Sequence, residues 1–177
     1  MTDQAPNLAD PIEEFSLELR SDTSLSGLVE EAAFDDVHFF LAEAIAAGDI
    51  VDEPDYDGTF ALVPYSHEEH ALNQATFELL ADKGWTPATL RDLLCFAIAR
   101  PQIQREHDVI ALGTLRTRRV YTDRPGETVW DQTDLDRSIC QWAVGLSALK
   151  TKRTLVPLEI FLGKVLRQPA LLLVRTS

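Results

Sequence analysis

Seven basic residues in the C-terminal half of the chain are the clearest candidates for binding chemistry. Four arginines lie on a predicted hairpin and three more basic residues lie in a predicted loop: Arg116, Arg118, Arg119 and Arg124, then Lys150, Lys152 and Arg153. Guanidinium and ammonium groups bind carboxylates and phosphates. On a strand, Arg116 and Arg118 share one face while Arg119 points to the other. We predict that these residues bind a partner protein or phosphate; the alternative is an edge strand protected from aggregation by charge.

Two histidines, His67 and His70, are weak candidates for metal ligands. On a helix they share a face with Gln74, a geometry that two imidazoles can use to bind zinc. The spacing differs from His-Glu-x-x-His, and no third ligand is identifiable. Glu69 also has a structural explanation, because it forms a predicted capping box with Ser66. We therefore predict no metal site and no cofactor.

Motifs for catalysis are absent from the sequence. Residues 145–149 lack the second glycine of a nucleophile elbow, and Gly163-Lys164 lacks the remainder of a phosphate-binding loop. Three aspartates and a histidine form a site only if the fold assembles them: Asp131, Asp134, Asp136 and His107. We predict a protein without catalytic activity, with a small hydrolase, with or without the assistance of a metal, as the second alternative.

Charge is divided unequally between the two halves of the chain. Residues 1–90 contain 20 acidic and two basic residues, whereas residues 91–177 contain nine acidic and 14 basic residues, which together give the net charge of -13. One interpretation is an acidic face for a basic partner beside a basic face for phosphate. The others are that the two halves neutralise each other across an interface, or that folding intersperses the charges.

A helix, a glycine turn and a second helix are predicted across residues 79–93, in the order of a helix-turn-helix motif. Arg91 is the only basic residue near the start of the second helix, which is otherwise largely apolar. A core helix is therefore the preferred interpretation. Together with the arginine-rich hairpin, this corner defines the first alternative function, a nucleic-acid-binding module.

The elements that must position these residues are predicted from periodicity and turn residues. Apolar spacing predicts one or two helices over 24–48, and further helices over 67–83 and from Pro87 to before Pro101. Thr86 is the predicted cap of the last of these helices. The same spacing predicts helices over 133–149 and 157–167, separated by a basic loop at 150–153.

Strands are predicted at 59–63, 108–122, 128–130 and 170–174, with a bulge or bend at Gly113. The predicted fold class is α+β: a mostly helical single domain with a small, largely antiparallel sheet. Residues 1–22 are expected to form a flexible or loosely docked acidic arm, ordered where Phe15 and Leu17 dock. Residues 23–177 form the single globular domain.

Composition limits the class of protein. The 177 residues are 45% hydrophobic, which is sufficient for one ordinary core. Cys95 and Cys140 form no Cys-x-x-Cys pair, so we expect reduced thiols. The N-terminal residues have no leader-like pattern, and the apolar run at 170–174 is too short to cross a bilayer. We expect a cytoplasmic protein without membrane contact.

These observations favour a non-catalytic interaction or assembly protein that recognises another macromolecule through charge-segregated surfaces, an acidic N-terminal half and a basic C-terminal half. A protein partner is expected, with nucleic acid bound through the basic half as the alternative. The sequence leaves the partner's identity and the oligomeric state open.

Overall fold

A computed structural model of the chain describes residues 7–50, 58–66, 74–119, 139–149, 152–159 and 170–176. The described helices are α1 (Leu25–Ala32), α2 (Phe39–Ala46), α3 (Gln74–Asp82), α4 (Leu90–Ala99) and α5 (Ile103–Glu106). The described strands are β1 (Asn7–Leu8), β2 (Glu13–Leu17), β3 (Asp36–Val37), β4 (Gly58–Ser66), β5 (Thr86–Pro87), β6 (Asp108–Arg119), β7 (Ile139–Leu149), β8 (Lys152–Glu159) and β9 (Ala170–Arg175).

All nine described strands belong to one mixed sheet. Its main order is β1-β4-β9-β6-β7-β8-β3, with β2 also paired to β4 and β5 also paired to β9. The β6–β9 and β3–β8 pairs are parallel, and the other pairs are antiparallel. Among the described residues, 57 lie in strands and 39 in helices. The prediction of a mostly helical domain with a small, largely antiparallel sheet is therefore wrong in its helix content and in the size of the sheet, although most strand pairs are antiparallel.

The predicted helix over 133–149 is the main source of this error. Residues 139–149 form strand β7, which lies between β6 and β8. Its central residues 143–147 are all buried, because the strand is covered on both faces. A strand buried on both faces loses the alternation of polar and apolar residues that identifies a strand in a sequence. Periodicity therefore could not distinguish β7 from a buried helix.

The basic loop at 150–153 and the helix start at Pro157 are also incorrectly predicted. Lys152 and Arg153 begin strand β8, and Pro157 lies within it, opposite Val144 of β7. On its other side β8 pairs with β3 at Thr154 and Leu155. Pro157 lies beyond the residues that pair with β3, so the N–H that proline lacks leaves no described hydrogen bond between strands unmade. Residues 160–167 of the predicted helix lie outside the described residues.

Several local predictions are confirmed. The strands predicted to begin near Thr59, Asp108 and Ala170 are β4, β6 and β9. The bulge predicted at Gly113 coincides with a shift of the β6–β7 register between Ala111 and Arg116. At this bulge the Gly113 amide donates to the Ala88 carbonyl oxygen at 2.8 Å. A side chain at position 113 would clash with that oxygen, because its Cβ would lie only 2.8 Å from it. The bulge therefore brings the start of α4 against the sheet.

Residues 24–48 form two helices rather than one. Ser24 caps α1 by accepting the Gly27 N–H, and Ala33 ends it in the left-handed conformation. Strand β3 then runs beside β8 before α2 begins at Phe39. Gly48, the last residue of the helical region predicted over 24–48, follows α2 with a positive φ of 68°, a conformation that favours glycine at the end of a helix.

Helix α4 begins three residues later than the sequence predicts. Thr86 and Pro87 form β5, which pairs with β9, and the cap is Thr89. The Thr89 and Asp92 side chains form a capping box, in which Asp92 accepts from the Thr89 amide at 2.7 Å. Pairing with β9 holds Thr86 in the sheet, so the helix cannot start there. The other predicted cap, Ser66, is the last residue of β4, and residues 67–73 lie outside the described residues.

The core is built on both faces of the sheet. Alternate residues of β4 illustrate this: Phe60 and Leu62 join a cluster with α1, α2 and α4, while Ala61 and Val63 join a second cluster that includes Leu80 of α3. In the N-terminal segment, Phe15 and Leu17 of β2 are buried in the first cluster, and β2 pairs along β4 from Leu62 to Gly58.

Candidate interaction surface

All four arginines of the predicted hairpin lie outside the residues whose side chains are described. Arg116, Arg118 and Arg119 lie at the end of β6, opposite Trp142, Cys140 and Ile139 of β7. The structure describes their backbone only. Arg124 and Lys150 lie outside the described residues, as do His67 and His70.

Lys152 and Arg153 occupy opposite environments although they are adjacent in the sequence. Lys152 is exposed, whereas Arg153 is only 9% exposed. The Arg153 guanidinium donates to Gln104 Oε1 at 3.1 Å and to the carbonyls of Ala32 and Ala97 at 2.8 and 2.9 Å. Arg153 therefore joins β8 to α1, α4 and α5. Its side chain serves the interior of the fold, although the adjacent Lys152 is open to a partner.

The surroundings of Arg153 shift the pKa of its guanidinium group. Burial, together with the nearby Arg105, lowers the pKa of the Arg153 guanidinium from its ordinary value, while the Asp35 carboxylate acts in the opposite direction. Asp35 also accepts the backbone N–H of Arg153 at 2.7 Å. No sequence signal marks this role, because the flanking residues are polar and resemble a loop.

Other arginines of the C-terminal half also hold the fold together. Arg91 is 4% exposed and donates to the Thr23 carbonyl at 2.8 Å. Arg175 at the end of β9 forms an ion pair with buried Asp92 at 2.8 Å. Arg100 pairs with Glu13 of β2 at 2.8 Å and lies over the Phe15 ring. Arg91 and Arg100 therefore link the two halves of the chain, and the Arg100–Glu13 ion pair neutralises charge between them, whereas the Arg175–Asp92 pair lies within the C-terminal half.

The acidic residues are located differently. We define the acidic segment as residues 21–50, which contain α1, β3 and α2 and no Lys or Arg. Its acidic side chains are all exposed: Asp22, Glu30, Glu31, Asp35, Asp36, Glu43 and Asp49. Glu31 pairs with Arg20, which precedes the segment. Glu30, Asp36 and Glu43 form no ion pair with a described residue.

Basic side chains are sparse on the described surface. Among residues whose exposure the structure describes, the exposed basic side chains are Lys83, Arg105 and Lys152. Lys83 lies 3.8 Å from Asp10. The described surface is therefore predominantly acidic: Arg91 and Arg153 are buried, whereas Asp92 is the only buried carboxylate among the residues whose exposure is described.

An exposed aromatic side chain lies within the acidic segment. Phe39, the first residue of α2, is 57% exposed. Its ring lies 3.8 Å from that of Phe40 and 4.9 Å from that of His38, measured between centroids. In the sequence, the helical spacing over 24–48 runs through Val37, Phe40, Leu41, Ala44 and Ile45 and omits Phe39. That omission was the available signal, since a large apolar residue outside the buried stripe must lie at the surface.

Helix α4 does not present a recognition surface. Residues 90–97 are all buried, including Arg91. The helix that a helix-turn-helix would place in the major groove of DNA is therefore a core helix, as its apolar composition indicates.

The described residues contain neither a cluster of metal ligands nor a helix suited to cross a membrane. Among the described residues, no group of three or more His, Cys, Asp or Glu side chains is arranged to hold a metal ion. No helix in the described ranges is both long enough and apolar enough to cross a membrane.

Comparisons with known proteins give no family for this chain. No family model, no curated protein and no solved structure matches it.

Proposed function

We propose that this chain is a non-catalytic interaction protein that binds a basic protein partner through its acidic segment. The observation that supports the proposal is that the acidic side chains of this segment are exposed, while several arginines form contacts within the fold. Seven exposed carboxylates occupy residues 21–50 without a basic residue among them, whereas Arg91, Arg153 and Arg175 are engaged within the fold.

A field of one sign favours a partner of the opposite sign. Clustered carboxylates raise the local concentration of a cationic protein and increase its association rate, while they repel nucleic acid. The segment also has a defined shape, because α1 and α2 pack on the core through Leu28, Leu41 and Ile45. A cytoplasmic location remains a prediction from the sequence.

The test is a pair of charge-matched triple variants. The first neutralises the acidic segment through Glu30→Gln, Asp36→Asn and Glu43→Gln. The second removes the same charge elsewhere through Glu14→Gln, Glu18→Gln and Asp82→Asn, which are also exposed positions. Proteins captured from the native cell extract by each variant and by the unaltered chain are then quantified by mass spectrometry.

We expect one cationic protein to be retained by the unaltered chain and by the second variant. The first variant should bind it about tenfold more weakly, since each exposed ion pair contributes roughly 0.2–1 kcal/mol. Equal loss in both variants would show that net charge alone is responsible and would refute the proposal. Retention on double-stranded DNA, with affinity falling steeply as salt rises, would instead support the nucleic-acid alternative.

A further inference from the structure

The outer face of α2 is apolar although it lies at the surface. Phe39, Ala42, Glu43 and Ala46 follow the spacing i, i+3, i+4 and i+7, so they share one face of the helix. All four are exposed. Leu41, Ala44 and Ile45 form the opposite face and are buried in the core.

This face differs from that of an ordinary surface helix. A helix packed on a core normally presents polar side chains to solvent, whereas Glu43 is the one polar residue among these four. Phe39 presents a large apolar ring to solvent, and the small side chains of Ala42 and Ala46 leave space beside it. Small residues next to a large one allow another helix to approach closely and to pack around the ring.

Charge decides the kind of occupant. The acidic segment has no Lys or Arg; exposed Glu43 lies on the same face of α2 as Phe39, and exposed Asp36 lies in β3, three residues before Phe39. A second copy of the chain, packed through the same face about a two-fold axis, would bring these carboxylates against their own copies. Like charges at close range oppose such an interface. A cationic partner removes this conflict.

The neighbouring sheet edge favours a helical occupant over an extended one. Strand β3 is the last strand of the described sheet on this side and is only two residues long, Asp36–Val37. An added strand gains affinity from a run of main-chain hydrogen bonds, which so short an edge offers in small number. The eight-residue helix α2 offers a longer continuous surface.

We infer that the outer face of α2 docks an amphipathic helix of the basic partner. The apolar stripe of that helix packs on Phe39, Ala42 and Ala46, and its Lys or Arg residues lie beside Asp36 and Glu43. This inference rests on the proposed function, because it names the part of the acidic segment that the partner contacts and the chemistry of the partner.

Two designed peptides serve as probes. The first is a helix of about 18 residues, or five turns, with a leucine stripe flanked by lysines. The second replaces every lysine with glutamate. Binding to the full chain is measured by fluorescence anisotropy, and the affected amides are identified from nitrogen–proton NMR spectra.

The sharpest variant is Phe39→Ser, with Ile12→Ser as its matched control. Ile12 is 60% exposed and Phe39 is 57% exposed, so both changes remove an exposed apolar side chain without altering charge. We expect Phe39→Ser to weaken binding of the lysine peptide by about tenfold or more, and Ile12→Ser to change it less than twofold. Ala42→Gln, a neutral change on the same face, should also weaken binding and does not depend on Phe39→Ser folding correctly.

The expected result is binding of the lysine peptide, with shifts concentrated in the amides of residues 39–46 and weak or no binding of the glutamate peptide. Equal binding of both peptides would overturn the inference, as would shifts confined to other elements or no binding at about 1 mM. A concentration-dependent dimer of the unaltered chain that Phe39→Ser abolishes would also overturn it, because a second copy would then be the occupant.

The two proposals fail in different ways. If the neutralised acidic segment loses a native partner but Phe39→Ser retains it, the proposed function stands and the docking face is wrong. If the neutralised acidic segment retains every captured protein, the proposed function fails, whatever the peptides show.

Discussion

At the scale of single residues, the environment of a charged group decides its role. Arg153 and Lys152 are adjacent, yet strand alternation directs their side chains to opposite sides of β8. Lys152 reaches solvent, whereas Arg153 hydrogen-bonds two carbonyls and Gln104 inside the protein. A basic pair that looks uniform in the sequence therefore contains one candidate for binding and one structural residue.

Arg153→Ala should strongly destabilise the protein. The change leaves Gln104 Oε1 and the carbonyls of Ala32 and Ala97 without the donor that they have in the fold. Buried acceptors that lose their donor cost about 1–3 kcal/mol each, so we expect the loss of three to cost about 3 kcal/mol or more. Urea unfolding measures it, with Lys152→Ala as the control, which should cost less than about 0.5 kcal/mol. A stable Arg153→Ala variant that loses a partner would show that Arg153 belongs to the binding surface.

Cys95 should be an unreactive thiol whose burial makes the fold less stable in alkali. Burial raises the pKa of Cys95 above its ordinary value of 9.0. Above pH 9 the unfolded chain loses a proton that the folded chain keeps, so the free energy of unfolding falls as the pH rises through that window.

The test of this prediction uses a Cys140→Ser background, so that one thiol remains. Its reaction with a disulfide reagent at pH 8 should be about 100-fold slower in the folded chain than in guanidinium. Replacing Cys95 with Ala in that background should make the decline of stability above pH 9 less steep. Rapid reaction in the folded state would contradict the buried position of the thiol.

At the scale of elements, pairing partners determine where helices begin. Helix α4 starts at Leu90 because β5 is paired with β9 and because the Thr114 hydroxyl, beside the β6 bulge, accepts the Leu90 N–H at 2.7 Å. Asp92 completes the arrangement by accepting from Thr89 and from Arg175. Thr86, which has the right residue type for a cap, is held in a strand.

Thr89→Ala and Thr86→Ala distinguish these two starting points. We expect Thr89→Ala to cost about 1–2 kcal/mol, because a helix cap and a side-chain hydrogen bond to Asp92 are lost. Thr86→Ala should cost less than about 0.5 kcal/mol, since that side chain is exposed. Thermal or urea unfolding of both variants gives the comparison. The reverse order would place the cap at Thr86.

At the scale of the whole molecule, the N-terminal segment is part of the sheet and the core. Strand β2 pairs with β4 over five residues, and Phe15 packs near Phe60 and Phe96, with ring centroids 6.5 and 5.7 Å apart. Arg100 of the C-terminal half pairs with Glu13 of this strand. These contacts predict that residues 13–17 contribute to the stability of the domain, whereas the expectation of a flexible or loosely docked arm over residues 1–22 predicts that they do not.

A chain that begins at residue 20 should therefore lose cooperative unfolding. The truncation removes Phe15, Leu17 and Leu19, and this loss exposes the apolar core and one edge of β4. In the full chain, Phe15→Ala should cost about 3–5 kcal/mol, while exposed Ser16→Ala should have little effect. Calorimetry of the truncated chain and urea unfolding of the two variants measure these changes. A truncated chain with an unchanged melting transition would establish a dispensable arm.

Local features of this protein were readable from the sequence. Strands β4, β6 and β9, the bulge at Gly113 and the glycine after α2 were predicted because each depends on a few neighbouring residues. Turn residues and short-range periodicity act within a few positions of the chain, whatever the fold. The excess of acidic residues in the first half is likewise a property of the sequence itself.

The identity of β7 and β8, the start of α4 and the position of each charge were decided by tertiary structure. Residues 143–147 are buried on both faces, so their pattern does not distinguish strand from helix until β6 and β8 lie on either side. Arg153 reaches its acceptors only because β8, α1 and α4 meet around it, across as many as 121 residues of sequence. Phe39 remains exposed because the opposite face of α2 is the one that packs on the core. Such outcomes depend on contacts between distant segments, which no local pattern contains.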